Sequence, residues 1–363
     1  MTIKALFVTH QCSGTGAPIL LLRIMKYLRE ARVVSSIDVY AISGGQLIEE
    51  FSSFDHFTLN ENCTFDTLKN DRLTKAKYDV VYFNTVETAH LVSEFTRLGI
   101  IQSKTKVIFH IHELNGTIKK VGLNALHLIK NRADKIICVS NEVKNNLIKY
   151  DFSLENIVVV YPFLDRKIEY ISPRLRYREI FTVIGCGEVT VGKGIDIFIH
   201  VARLVNKKIN KNIKFIWLGP DSNKIQQYFE EDIKKLNLED VVSFAGFQKD
   251  IWPFYNNANL FFLSSRQDSF PLVCLEAASS GLPIIYFPDA GGIKEMIDGT
   301  AGIPLKYLDI ELASETIIKI YTDIKFLEKT ADNALKKYNK ICSKIESLKI
   351  IAKIVEGSRQ IKL

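Results

Sequence analysis

Short segments that are apolar on both faces alternate along this chain with amphipathic helical patterns, and few folds accommodate that order. IKALFVTH is followed by ILLLRIMKYLRE, and then come SIDVYAIS, YDVVYFN, KVIFHIH, KIICVS and NIVVVYP, separated by helical or turn-rich sequence. A strand that is apolar on both faces must be covered on both, which is the condition of a parallel sheet wrapped by helices.

After Pro162 the pattern stops in FLDRKIEYISPRLRYREI, which carries five basic residues and no clean period. A second series then begins with FTVIGCGEV, IDIFIHVARLVNKK, KFIWLG, VVSFAG, ANLFFLSS and PIIYF. The chain has 363 residues, more than one hydrophobic core usually holds. The expectation is therefore an α/β protein of two Rossmann-like parallel-sheet domains, 1–165 and 180–340. Residues 166–179 read as the linker, and 341–363 as a basic helix free to pack back toward the N-terminal domain. Ligands of open α/β sheets bind beyond the carboxyl ends of the strands. Two such edges facing across a linker predict one deep cleft.

Composition excludes several classes. With 47% hydrophobic and 25% charged residues, the chain is neither disordered nor fibrous. An excess of 48 Lys+Arg over 41 Asp+Glu gives +7, too mild for a dedicated nucleic-acid binder but compatible with anionic substrates or an anionic membrane surface. No apolar run approaches the roughly 20 residues that span a bilayer, and MTIKALFVTH runs straight into a strand pattern, so a cytoplasmic protein is expected, with peripheral contact at the inner membrane face as an option. The six cysteines are scattered without metal-ligand spacing and read as reduced, small core residues.

The most informative stretch is SSRQDSFPLVCLEAASSG, Ser264 to Gly281, a strand end opening through a loop into a helix. A helix starting near Leu272 places Glu276 just over one turn inside it and Asp268 in the loop ahead. Ser269, Phe270, Pro271, Leu272 and Val273 surround that N-terminus, whose unpaired N–H groups and positive partial charge suit a phosphate or an oxygen-rich sugar. A carboxylate one turn in suits a vicinal diol better than a phosphate. A cap and a surface ion pair would be the plain alternative for the two acids.

GCGEVTVGKG, Gly185 to Gly194, is a glycine-rich turn before a helix, with Lys193 placed as a point charge for a diphosphate. In the N-terminal half, HQCSGTGAP offers Gly14 and Gly16 for close backbone approach, and KVIFHIHEL ends in His110, His112 and Glu113, with Asn84 one strand away. Strand alternation puts the two histidines on one face.

The Ser264–Gly281 segment resembles the E-x7-E motif of retaining glycosyltransferases of the GT-B fold, the family 4, group 1 type, with Asp268 standing for the first Glu. Gly281, Pro283, IIYF, Gly291 and Gly292 match the glycine-proline turn, strand and Gly-Gly helix start on the C-terminal side of the motif in that family. The resemblance implies that Glu276 binds the ribose hydroxyls of a nucleotide-sugar and Asp268 the hydroxyls of the transferred sugar. The glycine-rich turn is similar to the family's G-R-L-x-x-x-K-G. Lys193 matches the lysine that meets the donor diphosphate, whereas Glu188 occupies the arginine position, leaving Arg266 or Lys249 to supply the missing charge. Gly246, Phe247 and Gln248 fall where the family meets the nucleobase. Trp252 and Tyr255 are read as core. His112 aligns with the active-site histidine near the transferred sugar, and Asn84, His110 and Glu113 are assigned to the acceptor side.

What the resemblance implies is transfer of a sugar, with retention, from a nucleotide diphosphate donor to a hydroxyl of a glycan or lipid-linked acceptor in bacterial surface polysaccharide synthesis. His112, Asp268 and Lys193 are the catalytic candidates. No Asp-x-Asp pair appears, so neither a metal nor another cofactor is expected. The alternatives are a nucleotide-sugar epimerase or hydrolase on the same fold, or a non-catalytic sugar-binding protein. A dehydrogenase lacks its third fingerprint glycine.

Overall fold

Ala5, Leu6, Phe7 and Val8 are completely buried in the first strand, so neither of its faces meets water. The computed structural model describes residues 3–61, 68–69, 71–165, 180–209, 212–341 and 343–357. They form two compact units. One comprises the residues up to Phe163 and those from Lys344 onward, the other Leu164–Ser343. The expected linker 166–179 lies outside the described residues.

The first unit holds a parallel sheet of seven strands: β1 (Lys4–Gln11), β2 (Ser36–Ser43), β3 (His56–Leu59), β4 (Val80–Asn84), β5 (Lys106–Ile111), β6 (Lys135–Cys138) and β7 (Ile157–Val159), in the order β3-β2-β1-β4-β5-β6-β7. The helix Gly16–Glu30 buries Leu20, Leu21, Ile24, Met25 and Leu28, each worth roughly 1.5–3 kcal/mol when fully removed from water. Leu348, Ile351, Ile354 and Val355 of the helix Lys344–Glu356 join the same core. Ser347 of that helix donates to the Tyr161 carbonyl at 2.9 Å. The C-terminal helix is thus part of the first unit's core, although Lys336, Lys337 and Lys340 lie on the helix Ile324–Ile341 of the second.

The second unit holds six parallel strands: β8 (Phe181–Cys186), β9 (Ile213–Leu218), β10 (Val242–Gly246), β11 (Leu260–Leu263), β12 (Ile284–Tyr286) and β13 (Ile303–Pro304), in the order β10-β9-β8-β11-β12-β13. The helix Ile195–Ile209 covers one face. Its Phe198 meets Phe215 and Trp217 edge-on, each at 5.3 Å between ring centroids. Trp217 shapes the glycine-rich turn: its indole N–H donates to the Gly187 carbonyl at 2.9 Å, and its ring fills the space a side chain at Gly185 would need. At the far end of the turn Gly194 has φ +73°, and a Cβ there would overlap the Ser264 carbonyl. Only glycine satisfies both conditions.

Each sheet reverses its order next to its first strand, between β1 and β4 and between β8 and β11. Those reversals open the crevices in which α/β proteins hold ligands. Among the described residues, no helix is long and apolar enough to cross a membrane.

Candidate functional site

At the β8/β11 reversal the loop after β11 is pinned on both sides. The Arg266 amide donates to the Gly192 carbonyl at 2.9 Å, and the Asp268 amide to the Ala290 carbonyl at 2.7 Å. Gly292 returns a bond to the Asp268 carbonyl at 3.1 Å, so the Gly291–Gly292 pair noted in the sequence fixes the Asp268 backbone. Lys193 is fixed equally well, its carbonyl accepting from Ser264 Oγ at 3.0 Å. The two side chains meet with Lys193 Nζ 2.5 Å from Asp268 Oδ2. Burial opposes the Lys193 charge, but the Asp268 carboxylate outweighs it and holds the ammonium's pKa above the ordinary value.

The helix Leu272–Ser279 begins after Pro271 with no acidic residue in its first turn. Leu272 and Val273 open it, where N–H groups lack intrahelical acceptors. Ser269 is half-buried, Phe270 is packed inward, and Glu276 is buried one turn inside. The Tyr255 hydroxyl lies 3.3 Å from both Glu276 Oε2 and the Val273 carbonyl. Tyr255 is fully buried, as a core residue should be, yet its phenol orients the very carboxylate the motif singles out. Its hydrophobic surroundings in the sequence give no signal of that contact. Cys186 belongs to the same cluster, its thiol pushed up to about 12 by burial and then by the Glu276 charge.

Arg266 has its own partners at this turn. Its two terminal nitrogens bind both oxygens of Asp196 at 2.8 and 2.7 Å, and one also donates to the Val191 carbonyl at 2.7 Å. This bidentate pair clamps the glycine-rich turn and offsets part of the guanidinium charge there. Glu188 is half-buried in that turn, and Lys249 is exposed in the loop after β10. Gly246 ends β10 with φ +68°, leaving Phe247 39% exposed, a ring large enough to serve as a base platform, while the Gln248 amide turns back to the Ala245 carbonyl at 2.5 Å.

In the first unit, register aligns Thr9 with Asn84 and Asn84 with His110. Asn84 Oδ1 lies 3.0 Å from His112 Nε2, so the buried Asn84 amide orients the His112 ring. Burial, then His110 and His10, keep His112 well below the ordinary histidine pKa, so the ring is neutral. The two histidines share a face as alternation requires, with ring centroids 4.3 Å apart. His110, however, is only 1% exposed and bonded to the Tyr82 hydroxyl at 2.8 Å. It supports His112 from below and is corrected from an acceptor-binding to a supporting residue. Glu113 is likewise turned onto backbone: Oε2 accepts from Val86 at 3.2 Å and from His112 at 2.9 Å. Gly16 opens its helix, and the Gly14 amide is taken by Gln46 Oε1 at 3.1 Å.

Beside these lies His10, which the sequence did not single out. Thr85 holds φ +86°, a region costly for a β-branched residue, with its hydroxyl 3.1 Å from His10 Nδ1, and His10 Nε2 is 3.3 Å from Glu87. His10 is the penultimate residue of β1, near its carboxyl edge, the signal that also marked His112.

Burial pushes the Glu113 carboxyl up to about 8 despite its two amide bonds. The folded state therefore holds a proton that the unfolded chain has released, and stability falls as pH rises from about 4.5 through about 8. Glu113→Gln is expected to flatten that part of the profile in chemical denaturation. An unchanged slope would assign it to another group.

The sequence and the fold agree with comparisons to known proteins. The model of the family "Glycosyl transferases group 1" matches residues 174–337, and that of "Glycosyltransferase Family 4" matches 57–167. The chain belongs to the group 1 glycosyltransferases of the GT-B fold. An uncharacterized glycosyltransferase of Haemophilus influenzae is 25% identical over 207 residues, 56% of each chain. The capsular polysaccharide biosynthesis glycosyltransferase CapM of Staphylococcus aureus is 26% identical over 228 residues, 59% of each chain. This group 1 chain thus spans little more than half the length of these curated relatives. Among solved structures, Anabaena HepE in complex with UDP-glucose superposes with a TM-score of 0.84 at 21% identity, covering 98% of this chain and all of that one. WaaG, a glycosyltransferase involved in lipopolysaccharide biosynthesis, gives 0.77 at 15% identity, with the same coverage.

Proposed function

We propose that this chain moves a sugar from a nucleotide diphosphate-sugar to a hydroxyl of a glycan or lipid-linked acceptor, with retention at the anomeric carbon and without a metal ion, in bacterial surface polysaccharide synthesis. The observation that carries the reading is the grouping at the β8/β11 edge. Lys193 touches Asp268, and the loop leads into a helix whose first turn carries no acid and whose second holds buried Glu276. In this reading Glu276 accepts from the ribose hydroxyls, Asp268 from the transferred sugar, and Phe247 with the Gly246 and Gln248 backbone meets the base. HepE binds UDP and UDP-glucose, which makes uracil the first base to test.

The departing diphosphate's charge is met by Lys193 and by amides at the start of the helix Leu272–Ser279, fixed donors that need no reorganisation as charge develops. The leaving phosphate takes the acceptor's proton. His112, neutral and held by Asn84, positions or polarises. The lysine-rich helices offer contact with an anionic membrane, less strongly than their composition implies, since Lys337 is paired with Asp298 at 2.6 Å.

The test is transfer from a panel of UDP-, GDP- and dTDP-sugars in the presence of a chelator, with the product's anomeric configuration read by NMR. Retention with undiminished rate is expected; inversion, or loss of activity on chelation, would refute the mechanism. Glu188→Arg is expected to lower the donor KM several-fold, because a carboxylate a few ångströms from a diphosphate repels it by about 1 kcal/mol or more. An unchanged or higher KM would give Glu188 a different task.

A further inference from the structure

We propose that Asp268 makes this site discriminate a nucleotide diphosphate that carries its sugar from the bare nucleotide diphosphate, by holding the lysine that the diphosphate requires. The inference rests on the donor-site reading above and adds a coupling between the two ends of the ligand.

Three observations lead to it. Lys193 Nζ and Asp268 Oδ2 are 2.5 Å apart, with the lysine side chain 32% and the aspartate side chain 8% exposed. Both backbones are fixed, Lys193 by Thr190 and Ser264, Asp268 by Ala290 and Gly292, so neither residue can follow the other if the pair is pulled apart. The nearby arginine is committed to Asp196 and Val191, while Glu188 adds a further negative charge to the turn.

A phosphate drawn to Lys193 must therefore either take the ammonium from Asp268 or share it, and both arrangements are costly. The first leaves a buried carboxylate unpaired, and the second brings two anions to one cation. A sugar attached to the terminal phosphate removes the difficulty, since its hydroxyls donate to the carboxylate as the lysine turns to the phosphate. It also removes one titrating phosphate oxygen, so the sugar nucleotide is less negative than the bare nucleotide. The shorter Asp side chain matters because its carboxylate sits close to a fixed backbone and has little room to seek another donor. Discrimination of this kind speeds departure of the nucleotide once the sugar has been transferred.

Calorimetric titration of UDP and UDP-glucose, with GDP and GDP-mannose run in parallel, tests the coupling on the full chain. The wild type is expected to bind the sugar nucleotide more tightly than its bare partner. Asp268→Asn and Asp268→Ser are expected to tighten the bare nucleotide about tenfold, an effect of one unfavourable charge contact, while changing the sugar nucleotide less. Equal or tighter binding of the bare nucleotide by wild type would overturn the proposal, and this readout needs no variant to fold. So would unchanged bare-nucleotide affinity in variants that melt cooperatively. If the wild type binds none of the four ligands, the donor-site reading itself fails, and the coupling fails with it.

Discussion

Lys193→Ala is expected to lower kcat/KM for the donor by about 10²- to 10³-fold, the usual consequence of removing one fixed donor to developing charge. The size of the effect reflects the lack of a substitute. Arg266 is held by Asp196, and Glu188 adds a negative charge to the same turn. The same change strips buried Asp268 of its ion-pair partner, so the melting temperature should also fall. Lys193→Arg separates the two effects: a guanidinium restores charge to Asp268 but not the compact ammonium's reach. A loss below fivefold in Lys193→Ala would show that the diphosphate charge is met elsewhere.

Glu276→Ala is expected to raise the donor KM by about 10²-fold with a smaller change in kcat, since it removes a paired, buried acceptor of two hydroxyl hydrogen bonds. The Tyr255 phenol then loses a partner inside the core. Glu276→Gln keeps the shape and one accepting oxygen and should cost about tenfold. Tyr255→Phe should move the donor KM in the same direction by less. If Glu276→Ala lowered kcat alone, leaving KM untouched, the carboxylate would belong to the reacting centre and not to ribose recognition.

The parallel sheets were legible because strands buried on both faces must be apolar throughout: β1 and β4 could take no other role. Asp268, Glu276 and Lys193 were legible because the chain itself sets their spacing from a strand end or a helix start. Contacts between distant segments were not. Arg266 and Asp196 are 70 residues apart and Thr85 and His10 are 75 apart, and nothing local marks either pair. Parity placed His110 beside His112 but could not give depth, and two residues along a strand separate a supporting side chain from one near the edge. Tyr255 shows the same limit from the other direction, since a ring buried among apolar neighbours and one whose hydroxyl meets Glu276 have identical sequence patterns.

Sugar-nucleotide binding that depends on Lys193 and Glu276 is the decisive measurement. Thermal melting and calorimetry of the full chain with UDP-, GDP- and dTDP-sugars should identify one that raises the melting temperature in wild type and loses that effect in both Lys193→Ala and Glu276→Ala, because a ligand that binds only the native state stabilises it in proportion to its occupancy. A sugar nucleotide that binds equally well to wild type and to both variants, or a wild type that binds none of them, would mean that the β8/β11 edge is not a donor site.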